Sequence, residues 1–212
     1  MVQVILIFLI FAFVHSITIT RWFKHRCKRA LGDAFMRVWY RALYNSFSLI
    51  TAGIAWYLIH AIPDHILWTA PLWLLMVMHA VQIGGIVFGA LAFEHLDGAE
   101  FMGFEQVWRY VTRREIAGNI EGLTQKELVT SGVYGVIRHP MYLAGIVIFT
   151  FNPHITVNRL TITILADLYF IFGMFIEERR FLRIFGDQYR EYMKRVPGMI
   201  PRFGRRRERI SK

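Results

Sequence analysis

Four long apolar runs, separated by polar and mostly basic segments, set the pattern of this chain. They cover residues 2–19, 43–62, 71–93 and 160–177, and each approaches the roughly 20 residues that a helix needs to cross a hydrocarbon core. A shorter run covers 136–152. The pattern predicts an all-α, polytopic membrane helix bundle with about five transmembrane helices in a single domain. Whether the short run crosses fully or inserts only in part stays open.

The composition agrees with that class. Hydrophobic residues make up 55% of the 212 residues and aromatic residues 16%, with a mean hydropathy of +0.38, which is too apolar for an ordinary soluble domain. The first run lacks the basic lead and the small-residue cleavage site of a secretory signal. We therefore expect it to be a retained membrane helix.

Lysine and arginine predict the orientation. Seven of them lie between residues 21 and 41, whereas the turn at 63–65 carries neither, and basic loops stay on the cytoplasmic side. The N-terminus is then outside and the C-terminus inside, with segments 94–138 and 178–212 in the cytoplasm. We expect a multi-pass protein of a prokaryotic inner or cell membrane whose active site faces the cytoplasm.

The formal charge of +10 raises the question of a nucleic-acid partner. The basic residues flank the apolar runs, so the expected partners are the lipid bilayer and its anionic headgroups, and no nucleic acid. Phe101, Phe104, Trp108 and Val111 recur at helical spacing, which predicts an amphipathic helix on the inner leaflet, acting either as an anchor or as a gate. The pattern says nothing about oligomeric state.

Metal and soluble-nucleotide sites are not indicated. Glu94, His95, Asp97 and Glu100 do not match a recurring ligand spacing, so no metal is expected. The single Cys27 excludes an internal disulfide and a CxxC site. No glycine-rich nucleotide loop and no nucleophile elbow is present.

The segment 132–145 carries the first chemical signal. It reads as a loop that feeds a helix with Pro140 in its first turn, where a missing N–H costs little. Together with Arg138, the free N–H groups of that turn would suit a carboxylate, and Tyr142 and Gly145 fall on nearly one face. The alternative is an interfacial Arg138-His139 pair, a helix-starting proline and a packing glycine.

Glu177 and Glu178 carry the second signal. Two adjacent carboxylates at the end of the last apolar run repel each other and lie at the negative end of the helix dipole. A cationic partner relieves both effects. That partner is either an ammonium or sulfonium ligand, or the arginines that follow at positions 179, 180 and 183.

The string 132–145, the two acids and the tail from Phe185 to Pro201 together resemble the isoprenylcysteine carboxyl methyltransferase and phospholipid methyltransferase superfamily over about the last 80 residues. The resemblance implies an integral membrane enzyme that uses S-adenosyl-L-methionine. It leaves the base unknown, with His139, Tyr189 and Arg190 as candidates. The cofactor-binding residues that it implies are Tyr134, Arg138, His139, Pro140, Tyr142, Leu143, Gly145, Glu177 and Glu178.

The N-terminal half bears a narrower resemblance. His15-Ser16 and the string RVWYRALYN at 37–45 are similar to methanethiol S-methyltransferases and related denitrification-associated membrane proteins, as is NPHITVNRL at 152–160. The hypothesis is a methyltransferase for a small or lipophilic acceptor, a thiol first. Alternatives are an isoprenylcysteine carboxyl O-methyltransferase, a phospholipid N-methyltransferase, and a non-catalytic accessory protein that keeps the scaffold.

Polar residues inside the apolar runs have two interpretations. His15 and Ser16 are functional candidates by position, or else a neutral histidine bonded to a neighbouring helix. His79 and Gln82 lie near Gly85 and Gly89, a pair of small residues that lets helices approach closely. Packing is the favoured interpretation for that second group.

Overall fold

The computed structural model describes residues 1–114 and 128–200. The chain is mostly helical, at 78%. In the described residues the helices are α1 (Val2–Ile19), α2 (Arg21–Val38), α3 (Tyr40–His60), α4 (Leu72–Glu94), α5 (Gly98–Met102), α6 (Phe104–Val111), α7 (Pro140–Thr150), α8 (Val157–Phe185) and α9 (Asp187–Arg195), and the strands are β1 (Ile66–Thr69) and β2 (His154–Thr156).

Four of these helices, α1, α3, α4 and α8, are long and apolar enough to cross a membrane. This confirms the helical membrane bundle that the apolar runs predict. The fourth run in chain order forms only α7, whose 11 residues extend about 16 Å at 1.5 Å per residue. Residues 151–153 then connect α7 to β2, and the crossing of the membrane by this segment stays a prediction.

Small residues let α7 approach α4 closely. A Cβ atom at Gly85 would lie 2.9 Å from Cγ1 of Val147, and one at Gly89 would lie 3.1 Å from Cβ of Ala144. The Gln82 side chain donates a hydrogen bond of 2.8 Å to the carbonyl oxygen of Ile148. The predicted packing role of this part of α4 is confirmed.

The sequence did not predict the small antiparallel sheet of β1 and β2, which joins the two connections at one end of the bundle. Asp64 fastens this sheet to the start of α8, because its Oδ1 accepts hydrogen bonds from the N–H groups of His65 and Asn158. Burial acts to raise the pKa of Asp64, but these bonds and one to Thr156 outweigh it, so that the pKa is lowered.

The opposite end of the bundle collects both chemical signals and the basic segment. α1 ends there, α3 begins there, and α5 is held against α3 by Arg41, whose Nε donates 2.6 Å to the Phe101 carbonyl oxygen. The predicted amphipathic element is present here as two helices, broken at Gly103, where φ is +90°. A Cβ at Gly103 would lie 2.4 Å from the Ala42 nitrogen. The orientation of this end in the cell stays a prediction.

The predicted end of the last helix is wrong. α8 continues to Phe185, two turns beyond Glu177 and Glu178. The residues after the acids combine arginines with Phe181 and Leu182, so the helix continues as an amphipathic one after its apolar part is complete. The two acids are therefore not at the negative end of the helix dipole. The predicted basic tail after residue 201 lies outside the described residues.

Candidate functional site

His139 lies between the two acidic side chains of α8. Its Nδ1 is 3.2 Å from Oε2 of Glu177, and its Nε2 is 3.1 Å from Oε1 of Glu178. The His139 side chain is only 2% exposed, whereas Glu177 is 32% exposed and Glu178 13%. Each ring nitrogen therefore faces one carboxylate oxygen, and the imidazole bridges the two acids. The two sequence signals, 38 residues apart, thus meet in one cluster.

Arg138 completes this cluster from the other side of Glu178. Its guanidinium pairs with Oε1 of Glu178 through both Nε and Nη2, and its Nη1 donates to the carbonyl oxygens of Met193 and Val196. The Arg138 guanidinium is therefore hydrogen-bonded to other groups of the protein. It contributes to the site by pairing with the Glu178 carboxylate. We call Arg138, His139, Glu177 and Glu178 the charged cluster.

The segment after α9 closes over the loop before α7. The backbone N–H groups of Arg138 and His139 both donate 3.1 Å hydrogen bonds to the carbonyl oxygen of Gly198. Pro140 is the first residue of α7, as predicted, and the first backbone bond of that helix runs from the N–H of Leu143 to the His139 carbonyl oxygen at 3.1 Å. This clasp holds His139 in its position facing α8.

Two glycines bring α7 and α8 together below the charged cluster. A Cβ at Gly145 would lie 2.7 Å from the ring of Phe170. At the same interface, Tyr142 lies across Gly173, where a Cβ would be 3.0 Å from Cε1 of the tyrosine ring. Tyr142 thereby comes within reach of the Glu177 carboxylate.

Three tyrosines surround the charged cluster on its other side. The Tyr192 hydroxyl donates 2.6 Å to the carbonyl oxygen of Tyr134, and burial raises the pKa of Tyr192 to about 12 and also raises the pKa of Tyr134. Tyr189 is 1% exposed, and burial, together with the nearby Glu178 carboxylate, raises its pKa. All three hydroxyls therefore keep their protons at neutral pH.

The Tyr189 hydroxyl is unusual because it lies next to the Arg138 guanidinium but makes no hydrogen bond of acceptable geometry with any residue that the structure describes. A buried donor without a partner costs about 1–3 kcal/mol. Such a hydroxyl at the edge of the charged cluster is suited to a polar group of a ligand.

The structure separates the candidate bases. His139 and Tyr189 lie in or beside the charged cluster, whereas Arg190 is exposed on the far face of α9 and pairs with Asp187 at 2.5 Å. Sequence reasoning missed two features: the Gly198 carbonyl oxygen as an acceptor, and the lack of a side chain at Gly173 that lets Tyr142 lie against α8. Neither position carries a local signal, because a backbone acceptor and a small helical residue are common everywhere.

A second polar cluster lies deeper in the bundle, between α1, α3 and α8. The Tyr44 hydroxyl is 3.0 Å from Nε2 of His15, and the Ser48 hydroxyl is 3.1 Å from Nδ1. The Ser16 hydroxyl is 2.8 Å from that of Tyr169. The sequence singled out His15 and Ser16, and the string at 37–45 includes Tyr44, but nothing in it pointed to Ser48 or Tyr169. We call these five residues the hydroxyl cluster.

Comparison with known proteins identifies the family. The model of the NnrU protein family matches residues 3–194. The chain belongs to the NnrU family. No solved structure matches it significantly.

Relatives of this NnrU chain carry methyltransferase names. It is 27% and 28% identical to methanethiol S-methyltransferases 1 and 2 of Bradyrhizobium diazoefficiens, over 93% and 96% of its own length and 65% and 74% of theirs. It is 35% identical to the protein-S-isoprenylcysteine O-methyltransferase of Schizosaccharomyces pombe over 35% of its own length and 33% of that protein. The resemblance to both groups is thereby confirmed, and the chain spans about two thirds to three quarters of the first two relatives.

Proposed function

We propose that this NnrU protein is an S-adenosylmethionine-dependent membrane methyltransferase that acts on a small or lipophilic acceptor, with a small thiol as first choice. The observation that carries the proposal is the insertion of His139 between Glu177 and Glu178, with the Tyr189 hydroxyl beside them, which has no hydrogen-bond partner among residues 1–114 and 128–200. The names of the relatives support both the reaction and the acceptor class.

The residues of the charged cluster fit the amino-acid part of this cofactor. Glu177 is the more exposed of the two acids, so its carboxylate is the available partner for an ammonium group. The Tyr189 hydroxyl and the N-terminal turn of α7 offer donors for a carboxylate. When bound, S-adenosylmethionine supplies an activated methyl group, and the residues of this chain align it and exclude water.

We further propose that this end of the bundle faces the cytoplasm of a prokaryotic cell, as the basic segment between residues 21 and 41 suggests. The exposed side chains of Phe104, Trp108 and Val111 on α6 would then lie against the inner leaflet, near its anionic headgroups. This arrangement gives the site access to a water-borne cofactor and to a lipid-soluble acceptor.

Calorimetry with S-adenosylhomocysteine tests the cofactor assignment. The full chain, purified in detergent, is expected to bind it, and Glu177→Gln is expected to weaken binding about tenfold or more, since a hydrogen bond between charged groups contributes about 1.5–3 kcal/mol. Glu191→Gln is the matched control, because Glu191 is an exposed acid that pairs with Lys194. Absence of binding by the unaltered protein would instead support the non-catalytic accessory role.

Turnover with labelled cofactor then separates the acceptors. Methanethiol, a prenylated cysteine and phosphatidylethanolamine represent the thiol, carboxylate and amine classes. We expect label in methanethiol, because the long alignments to methanethiol S-methyltransferases include the N-terminal half, whereas the isoprenylcysteine match covers about a third of the chain. Label in either of the other two acceptors alone would reassign the acceptor class without removing the methyltransferase function.

A further inference from the structure

The hydroxyl cluster is a polar group of side chains inside the membrane-spanning part of the bundle. Its members come from α1, α3 and α8, and all five are half-buried. Ionisable residues at such depth are rare and commonly mark a functional site. His79 on α4 shows the contrast, because it is exposed and its Nδ1 contacts Gln82 on its own helix at 2.9 Å.

α8 connects this cluster to the charged cluster. Tyr169, Gly173 and Glu177 follow one another at four-residue spacing and so lie along one face of the helix. Eight residues correspond to about 12 Å along the axis. Tyr142 fills the space between, since it lies across Gly173 and is a neighbour of both Glu177 and Tyr169. Tyr142 thus lies between the proposed cofactor position and the hydroxyl cluster.

Aromatic rings line the other side of the hydroxyl cluster. The Phe11 ring lies 5.6 Å from the His15 ring, and the Phe8 ring lies 6.1 Å from that of Tyr169, centroid to centroid. The cluster therefore offers hydroxyl groups and one imidazole next to an apolar wall. This combination suits an uncharged acceptor that carries a short alkyl group and one dissociable proton.

Resting on the function proposed above, we propose that the hydroxyl cluster is the methyl-acceptor site for a small alkyl thiol and that His15 takes the proton which the thiol loses. A neutral imidazole has one nitrogen that accepts and one that donates. The Tyr44 and Ser48 hydroxyls stand at Nε2 and Nδ1, so Tyr44 can donate to His15 while it accepts from the thiol.

The step balances without any further reactant. The S–H bond of the acceptor breaks, and its proton passes through the Tyr44 hydroxyl to the imidazole of His15. A new bond forms between the acceptor sulfur and the methyl carbon as the bond from that carbon to the sulfonium sulfur breaks. The positive charge lost from the sulfonium is then carried by His15, and both sulfur products are neutral thioethers.

The test uses the full chain in detergent with His15→Gln and Tyr44→Phe. At pH 7 we expect each to lower kcat/KM for methanethiol about 100-fold, the usual scale for loss of general base catalysis, with affinity for S-adenosylhomocysteine unchanged. Calorimetric binding of methanethiol to the protein saturated with S-adenosylhomocysteine is expected to weaken as well. The matched controls are His79→Gln and Tyr57→Phe, at exposed positions, and both are expected to behave as the unaltered protein.

The pH profile distinguishes a base from a packing residue. The groups facing His15 are Tyr44 from α3 and Tyr169 from α8, with Arg41 next to Tyr44. Without a base, the rate of His15→Gln should rise about tenfold per pH unit below the thiol pKa, because solvent then supplies the thiolate. A loss that is the same at every pH would contradict the proton-accepting role.

The outcomes separate the two proposals. If the unaltered protein binds S-adenosylhomocysteine and methylates methanethiol, but His15→Gln and Tyr44→Phe do so equally well, the acceptor site is elsewhere and only this inference fails. If the unaltered protein does neither, the proposed function fails and the acceptor site with it. Should His15→Gln lose the cofactor product through misfolding, Tyr44→Phe, which keeps the ring, decides the question.

Discussion

The charged cluster and the hydroxyl cluster meet the same requirement, burial of polar groups in an apolar bundle, in different ways. In the charged cluster the Arg138 guanidinium pairs with Glu178, His139 bridges both acids, and backbone carbonyls of the α9 segment take up remaining donors of Arg138. In the hydroxyl cluster His15 contacts the Tyr44 and Ser48 hydroxyls, and the Ser16 and Tyr169 hydroxyls contact each other. Buried charge demands full compensation, whereas a neutral hydroxyl is satisfied by a single hydrogen-bond partner.

The largest effect is expected from Glu178→Gln. This change removes the charge that faces both Arg138 and His139, and leaving the buried Arg138 guanidinium without its carboxylate costs about 3–5 kcal/mol. Thermal unfolding in detergent should show a large loss of stability, with Glu191→Gln as the surface control. If the two variants melt at the same temperature, the stability of the charged cluster does not depend on the Glu178 charge. The contrast drawn here between the two clusters would then be wrong.

A smaller loss is expected from Gly145→Ala, which tests the contact on which the charged cluster rests. The added Cβ would lie 2.7 Å from the Phe170 ring, and such overpacking typically costs about 1–3 kcal/mol. Gly84→Ala is the control on an apolar helix, since a Cβ there meets nothing within 4 Å. Equal melting of the two variants would mean that α7 and α8 adjust freely.

Removing a neutral partner should cost less still. Ser16→Ala leaves the Tyr169 hydroxyl without its partner, and hydrogen bonds between membrane helices contribute about 0.6 kcal/mol on average. The matched control is Ser46→Ala, at an exposed position on α3. A loss comparable to that of Glu178→Gln would show that the hydroxyl cluster is as demanding as the charged one.

The smallest effect belongs to Arg190→Gln. Its pair with Asp187 is exposed, and such pairs contribute about 0–1 kcal/mol. We expect unchanged melting and unchanged affinity for S-adenosylhomocysteine by calorimetry, which would remove Arg190 from the candidate bases. A clear fall in affinity would instead place the guanidinium in the cofactor site.

Apolar run length and local chemistry together predicted most of the bundle and the core of the site. Runs of the required length specify α1, α3, α4 and α8 because the bilayer thickness fixes how many residues a helix needs. Pro140 marked the start of α7, and the segment ending in His139 and the two acids of α8 were recognised as one site. Each of these features is encoded in one short, continuous stretch of sequence.

What the sequence could not predict depends on contacts between distant segments. β1 and β2 are too short for a periodic pattern, and their pairing joins residues 66–69 with 154–156. The extension of α8 beyond the acids arose from a change of the helix from apolar to amphipathic, which a count of apolar residues does not register. Tyr44 lay in a recognised string without a role, and Ser48 and Tyr169 carried no signal at all, because their contacts with His15 and Ser16 arise only when α1 packs against α3 and α8.

The continuity of α8 has a consequence for the size of the acceptor. Tyr169 and Glu177 belong to one unbroken helix of 29 residues, so the interval between the two clusters and their relative angle are fixed by the number of residues between them. One inserted residue would turn one cluster about 100° away from the other. α8 thus holds the two clusters at a fixed separation, and under the acceptor site proposed above this separation limits how long the acceptor can be.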